Sequence, residues 1–165
     1  MAKTNVKARP KRISRATAAK RRAPARTSHK RRSPAKDGRK PHRFAVSHPR
    51  EEDFAAEGLR AYARYRDLGV AAATNGMARA HVIRFMPPFR AEEVSIRHIH
   101  DVEFQMIYVL KGWMKSEFEG HGTIMMREGS CWLQPPRIKH TVLGYSDDCE
   151  VLEVLLPADF ETTEV

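Results

Sequence analysis

The sequence predicts an all-β domain behind a basic tail, and three observations carry that expectation. Beyond Asp53, apolar and polar residues alternate in short runs, the period of a strand with one buried face. Glycine, proline and aspartate interrupt those runs at close intervals, which leaves little room for helices. Charge is also divided unevenly along the chain. Residues 1–50 hold 18 Lys/Arg against the single acid Asp37, whereas residues 51–165 hold 12 basic and 19 acidic residues. The net charge of +10 is therefore a property of the first 50 residues, and the body behind them is mildly acidic.

The tail comes first in the chain. From Lys3 to Arg43 it mixes Lys and Arg with Ala, Pro, Ser and Thr, as in Lys20-Arg21-Arg22-Ala23-Pro24-Ala25-Arg26, with almost no large apolar side chain. Such a segment cannot offset its ordering entropy by burial, so residues 1–53 are expected to be disordered. A run of like charge neutralises phosphates without a defined fold, which makes residues 1–50 a candidate for non-specific nucleic-acid binding. The plainer reading is a solvated extension. A transit peptide ranks third, because the prolines and the missing apolar stripe argue against an amphipathic helix.

Residues 54–165 are expected to fold as one domain. Candidate strands are Ala80–Met86, stopped by Pro87-Pro88, then Ile96–His100, Gln105–Leu110, Trp113–Phe118, Thr123–Met126, Ser130–Gln134, Lys139–Gly144 and Glu150–Leu156. Tight turns are signalled by Lys111-Gly112, by Glu119-Gly120-His121-Gly122 and by Glu128-Gly129. That number of strands suits a sandwich or barrel. Helix is expected only near Gly69–Ala73. Gly58–Arg66 is ambiguous, its alanines favouring helix and Tyr62, Tyr65 and the following Gly69 opposing it.

Several function classes lack support. No run approaches the roughly 18 apolar residues of a membrane helix, and no apolar signal core begins the chain, so a soluble cytoplasmic protein is expected. Cys131 and Cys149 are too far apart for a zinc or redox motif, and Cys131 reads as an ordinary buried thiol. Glycine-rich phosphate loops and the serine-hydrolase elbow are absent.

The chemistry centres on Ile96-Arg97-His98-Ile99-His100. In a strand, residues two apart share a face, so His98 and His100 form either a chelating pair or a polar pair facing solvent. The run His98-Ile99-His100, the short gap to Gln105, then Met106–Lys111 and Gly112 resembles the first motif of the cupins, with glutamine where that family has an acid. Gly129, Pro135 and His140 resemble the second motif, in the expected order. With flanking strands, the resemblance covers about residues 77–157.

The resemblance implies a cupin double-stranded β-helix, a jelly-roll barrel, holding one divalent ion (iron, manganese, nickel or zinc). His98, His100 and His140 are the implied ligands, with Gln105 as candidate fourth. Two alternatives stay open: a three-histidine face without Gln105, approached by Asp101 or Glu103, and a cupin that binds no metal. The family further implies a homodimer and a small-molecule ligand. A dioxygenase, isomerase or lyase is one functional reading; a non-catalytic ligand-binding cupin tethered to nucleic acid by its tail is the other.

Three departures from the motifs have consequences. The family has glycine where Arg137 stands and asparagine where Gly144 stands, which predicts a differently shaped turn before His140. A neutral Gln105 leaves a divalent ion's charge uncompensated, which favours an anionic ligand. If Gln105 points inward, period two turns Ile107 and Val109 inward beside it, while Ile138 and Val142 flank His140, and the site is mainly apolar. His81 and His121 lie outside the motifs, Arg84 faces either way, and Tyr108 and Trp113 are expected only to pack.

Overall fold

The computed structural model describes residues 40–56 and 61–165, so most of the expected tail lies outside the described residues. Ten strands follow in chain order: β1 (Ala63–Asp67), β2 (Arg79–Phe85), β3 (His98–His100), β4 (Phe104–Lys111), β5 (Trp113–Phe118), β6 (Gly122–Arg127), β7 (Cys131–Leu133), β8 (His140–Tyr145), β9 (Glu150–Leu156) and β10 (Thr162–Glu164). Two short helices, α1 (Val70–Thr74) and α2 (Ala91–Val94), interrupt them. One five-stranded sheet runs β1-β2-β9-β4-β7 and the other β10-β3-β8-β5-β6, all neighbours antiparallel. This is the expected all-β jelly roll.

Each expected strand is present, with ends shifted by at most two residues and with Trp113–Phe118 and Glu150–Leu156 unshifted. The ambiguous stretch before Gly69 resolves as β1, where Tyr65 is held by its pairing with Ile83 on β2 and with Ala55 on the other side. β10 and α2 had no visible pattern, since Thr162, Thr163 and Glu164 are all polar and α2 has only four residues.

The sheets face each other across one interior. Alternation sends Ile107 and Val109 of β4, Val151 and Leu155 of β9, and Met114 and Phe118 of β5 inward, all buried. Phe85 and Tyr145 meet there with ring centroids 4.8 Å apart. Cys149 is sealed in this core, and burial pushes its thiol up to about 12. Cys131, expected to be buried, is exposed, because in β7 it and Leu133 face outward while Trp132 turns inward.

Residues 40–53 are part of the folded unit although their composition placed them with the tail. The Arg43 amide donates to the Ala73 carbonyl (2.9 Å) and its guanidinium to that of Ala72 (2.6 Å). Arg84 faces outward, ion-paired with Glu51 and Glu150 and stacked 3.9 Å over Phe54. Phe104, Tyr108, Leu110 and Leu133 are exposed on β4 and β7 of the first sheet. Among the described residues, no helix is long and apolar enough to cross a membrane.

The turn before His140 keeps a glycine-like backbone without glycine. Arg137 adopts φ +60°, the left-handed region that costs a side-chain-bearing residue roughly 1–2 kcal/mol. What holds it is the bond from its amide to the His100 carbonyl (3.1 Å). At the other departure, a Cβ on Gly144 would lie 3.5 Å from the Trp113 ring, an ordinary van der Waals contact, so the packing there does not require glycine.

Arg137→Gly should therefore retain or raise the melting temperature, while Arg137→Val should lose about 1–2 kcal/mol relative to it, β-branching being least compatible with that backbone. Thermal melts check this; equal stabilities would contradict the assignment of strain.

Candidate metal centre

Three histidines converge because two strands pair. His98 and His100 share one face of β3, and β8 runs beside it with His140 directly opposite His98. Their ring centroids lie 4.9, 4.2 and 5.1 Å apart. One ligand atom from each lies within 4.8 Å of the others, and all three residues are buried. Among the described residues, no other group of three His, Cys, Asp or Glu side chains is so placed. Asp101 and Glu103 are exposed, and Asp101 pairs with Arg137.

The rings are oriented from behind. His98 donates from Nδ1 to the Ile96 carbonyl (2.8 Å) and His140 from Nδ1 to the Ile138 carbonyl (3.0 Å). A carbonyl only accepts, so a neutral ring in this geometry carries its proton on Nδ1 and its lone pair on Nε2. His100 Nδ1 lies 2.9 Å from Thr162 Oγ1, a contact supplied by the pairing of Thr162 with His100 across β10 and β3.

Opposite the histidines the first sheet presents a row of polar side chains. His81 on β2 is the cross-strand partner of Glu153 on β9, and its Nε2 lies 2.6 Å from Glu153 Oε2. Glu153 Oε1 accepts from Gln105 Nε2 on β4 (2.6 Å), and Gln105 Oε1 accepts from Gln134 Nε2, just after β7 (2.9 Å). Gln134 Nε2 is also 3.0 Å from His140 Nε2. The row thus crosses β2, β9, β4 and the end of β7, in sheet order, and finishes on a histidine of the other sheet.

Burial raises the pKa of the Glu153 carboxyl. The hydrogen bond and attraction from His81, the bond from Gln105 and the attraction of His100 outweigh that effect and hold it below the usual carboxylate range. Glu153 therefore stays ionised inside the barrel.

A cavity of about 420 Å³ opens beside this assembly, lined among others by Tyr62, Tyr65, Arg79, His81, His98, His100 and Phe160. A smaller space of about 60 Å³ shares His98, His100 and Glu153 with it and reaches Gln105, Gln134 and His140. Apolar and aromatic side chains, among them Ile83, Phe85, Ile107, Met114, Phe118 and Val142, make up most of its lining, as expected, beside the polar groups.

Of the sequence candidates, His98, His100, His140 and Gln105 all face this interior, joined by His81, which lay outside both motifs. His121 is exposed in the β5–β6 turn. Glu153, Gln134 and Thr162 were missed. The signal for Glu153 was its place between Val151 and Leu155, an acid at an inward position of an apolar strand.

The sequence of residues 89–155 matches the cupin domain family. Among solved structures, the polyketide cyclase RemF from Streptomyces resistomycificus is 20% identical, with a TM-score of 0.56 over 73% of this chain and 85% of its own. An oxalate decarboxylase from Lactobacillus farciminis, in a formate complex, is 14% identical, with a TM-score of 0.53 over 69% of this chain and 34% of its own. An RmlC-like cupin from Shewanella frigidimarina is 18% identical, with a TM-score of 0.52 over 72% and 96%. No curated protein sequence matches the chain.

Removing Gln134 as Gln134→Leu leaves Gln105 Oε1 without its buried donor. We expect a loss of about 1–3 kcal/mol in urea unfolding, the usual cost of orphaning such a group; an unchanged midpoint would show that the row is not formed in solution.

Proposed function

We propose, from the match of residues 89–155 to the cupin domain family, that the protein is a metal-dependent enzyme acting on a small organic molecule, of the dioxygenase, isomerase or lyase kind. The observation that carries this reading is the convergence of His98, His100 and His140 beside a cavity of about 420 Å³. The donor set fits a first-row divalent ion: imidazoles with Nδ1 held from behind direct Nε2 to a common point. Gln105 is the proposed fourth ligand, through Oε1. An ion on His140 Nε2 takes the lone pair that the Gln134 amide now contacts, so that amide has to shift aside.

When bound, the ion supplies Lewis acidity or a position for oxygen. This chain's residues do the rest. Tyr62, Tyr65 and Phe160 form an aromatic wall that packs on a small carbon skeleton. Arg79 on the same lining attracts a carboxylate or enolate oxygen. The apolar patch around Ile83, Ile107 and Val142 limits water near the histidines.

Metal analysis tests the reading. Purified protein should carry about one equivalent of a transition metal per chain, and a variant with both His98→Ala and His140→Ala should carry essentially none. Equal metal content in the two proteins would remove the foundation.

A second reading rests on charge. Residues 1–39 contain 15 Lys/Arg and one acid, which suits tethering of a non-catalytic, ligand-binding cupin to nucleic acid. Binding to mixed-sequence duplex should then weaken steeply with salt and disappear when residues 1–39 are deleted. The cut belongs at residue 39, because residues 40–53 are tied to the body by the Arg43 and Ser47 hydrogen bonds and the Glu51–Arg84 ion pair. Retained affinity in the truncated protein would reject this reading.

A further inference from the structure

The unusual member of the metal-binding set is Gln105, a neutral amide at a position where the motif has an acid. A carboxylate is nonetheless present beside it. Glu153 sits on the adjacent strand, in register with Ile107 and one step from Gln105's own partner Leu155. Its Oε1 is 2.6 Å from Gln105 Nε2. Its other oxygen is 2.6 Å from His81 Nε2, whose N–H donates to it.

That carboxylate dictates the orientation of everything downstream. An ionised carboxylate only accepts, so the amide facing it has to present its NH₂ end. The Gln105 carbonyl oxygen is thereby turned away, toward Gln134 and the histidines. Gln134 in turn has to present its own NH₂ to that oxygen, as it does at 2.9 Å. Rotating Gln105 by half a turn would place its oxygen against a carboxylate oxygen in a buried space, with Gln105 2% exposed. A glutamate at position 105 would meet the same obstacle, since two buried carboxylates in contact do not both ionise. The acid stands on the neighbouring strand instead.

We propose that Glu153, clamped by His81, is the positioning residue of the metal centre: from one strand away it supplies the negative charge that a motif acid otherwise brings, and it holds the Gln105 carbonyl oxygen toward the histidines. The proposal rests on the metal-binding reading above. Under it, an ion here is not left uncompensated, contrary to the expectation drawn from Gln105 alone.

The test measures Zn²⁺ and Mn²⁺ dissociation constants by competition with a chelator, on full-length wild type, Glu153→Gln, Gln105→Glu and the double exchange Gln105→Glu/Glu153→Gln. Glu153→Gln should weaken both ions by about 10–100-fold, the usual effect of losing an outer partner of a metal ligand. Gln105→Glu alone should also bind more weakly than wild type. The double exchange, with one acid and one amide again in contact, should return to within a few-fold of wild type. Melting curves are recorded on all four proteins.

Rescue of affinity by the double exchange is the outcome that packing alone does not produce. If Glu153→Gln folds and binds both ions as wild type does, the proposal fails while the metal centre stands. If the double exchange recovers stability but not affinity, Glu153 only satisfies buried polar groups and the proposal is likewise overturned. If wild type binds neither ion, or binds them as well after His98→Ala/His140→Ala, the metal-centre reading falls and takes the proposal with it.

Discussion

A carboxylate accepts hydrogen bonds and donates none, and a row of interior polar groups of this barrel is arranged around one carboxylate, that of Glu153. Glu153 projects inward from β9 and is largely buried, its side chain 12% exposed, so its oxygens need donors, and the neighbouring strands supply one each: His81 from β2 and Gln105 from β4. Once Gln105 is committed to donating, its oxygen requires a donor in turn, and Gln134 meets that need. Its amide then reaches His140 on the opposite sheet. A single charge placed at an inward strand position thus propagates a direction through two amides to a histidine of the candidate metal centre, each step forced by donor and acceptor inventory.

The two sheets divide this work. The second sheet carries the three histidines on adjacent strands, where backbone pairing sets their spacing and Ile96, Ile138 and Thr162 set their ring orientation. The first sheet carries the polar row. Beyond them the interior is apolar, with Val109, Val151 and Cys149 fully buried. Sites built on strands of a packed barrel are held more rigidly than sites on loops. The one loop feature that matters, the left-handed turn at Arg137, is tied back to His100 by a backbone bond.

Likeness of fold does not carry a reaction with it. The solved structures compared above share at most 20% identity with this chain and include a cyclase and a decarboxylase. What speaks for chemistry here is the side chains, above all the convergence of His98, His100 and His140 beside the cavity.

Strand rhythm, the split in charge, the two histidine motifs and the inward face of β4 were all legible along the chain, because they depend on residues one or two positions apart. The limits of legibility have the same origin. Whether His98 and His100 met a third histidine depended on β3 and β8 being neighbours. His81 and Glu153, 72 positions apart in the chain, became a pair only when β2 and β9 came into register. β10 was invisible because Thr162 and its neighbours are polar on both faces, yet pairing made Thr162 the partner of His100. Cys131 went the other way, since β7 turned the neighbouring Trp132 inward instead. The sequence by itself determined which residues could face a common interior, through a period of two. Only the tertiary structure decided which of them touch, because strand order and register are long-range choices that local alternation does not encode.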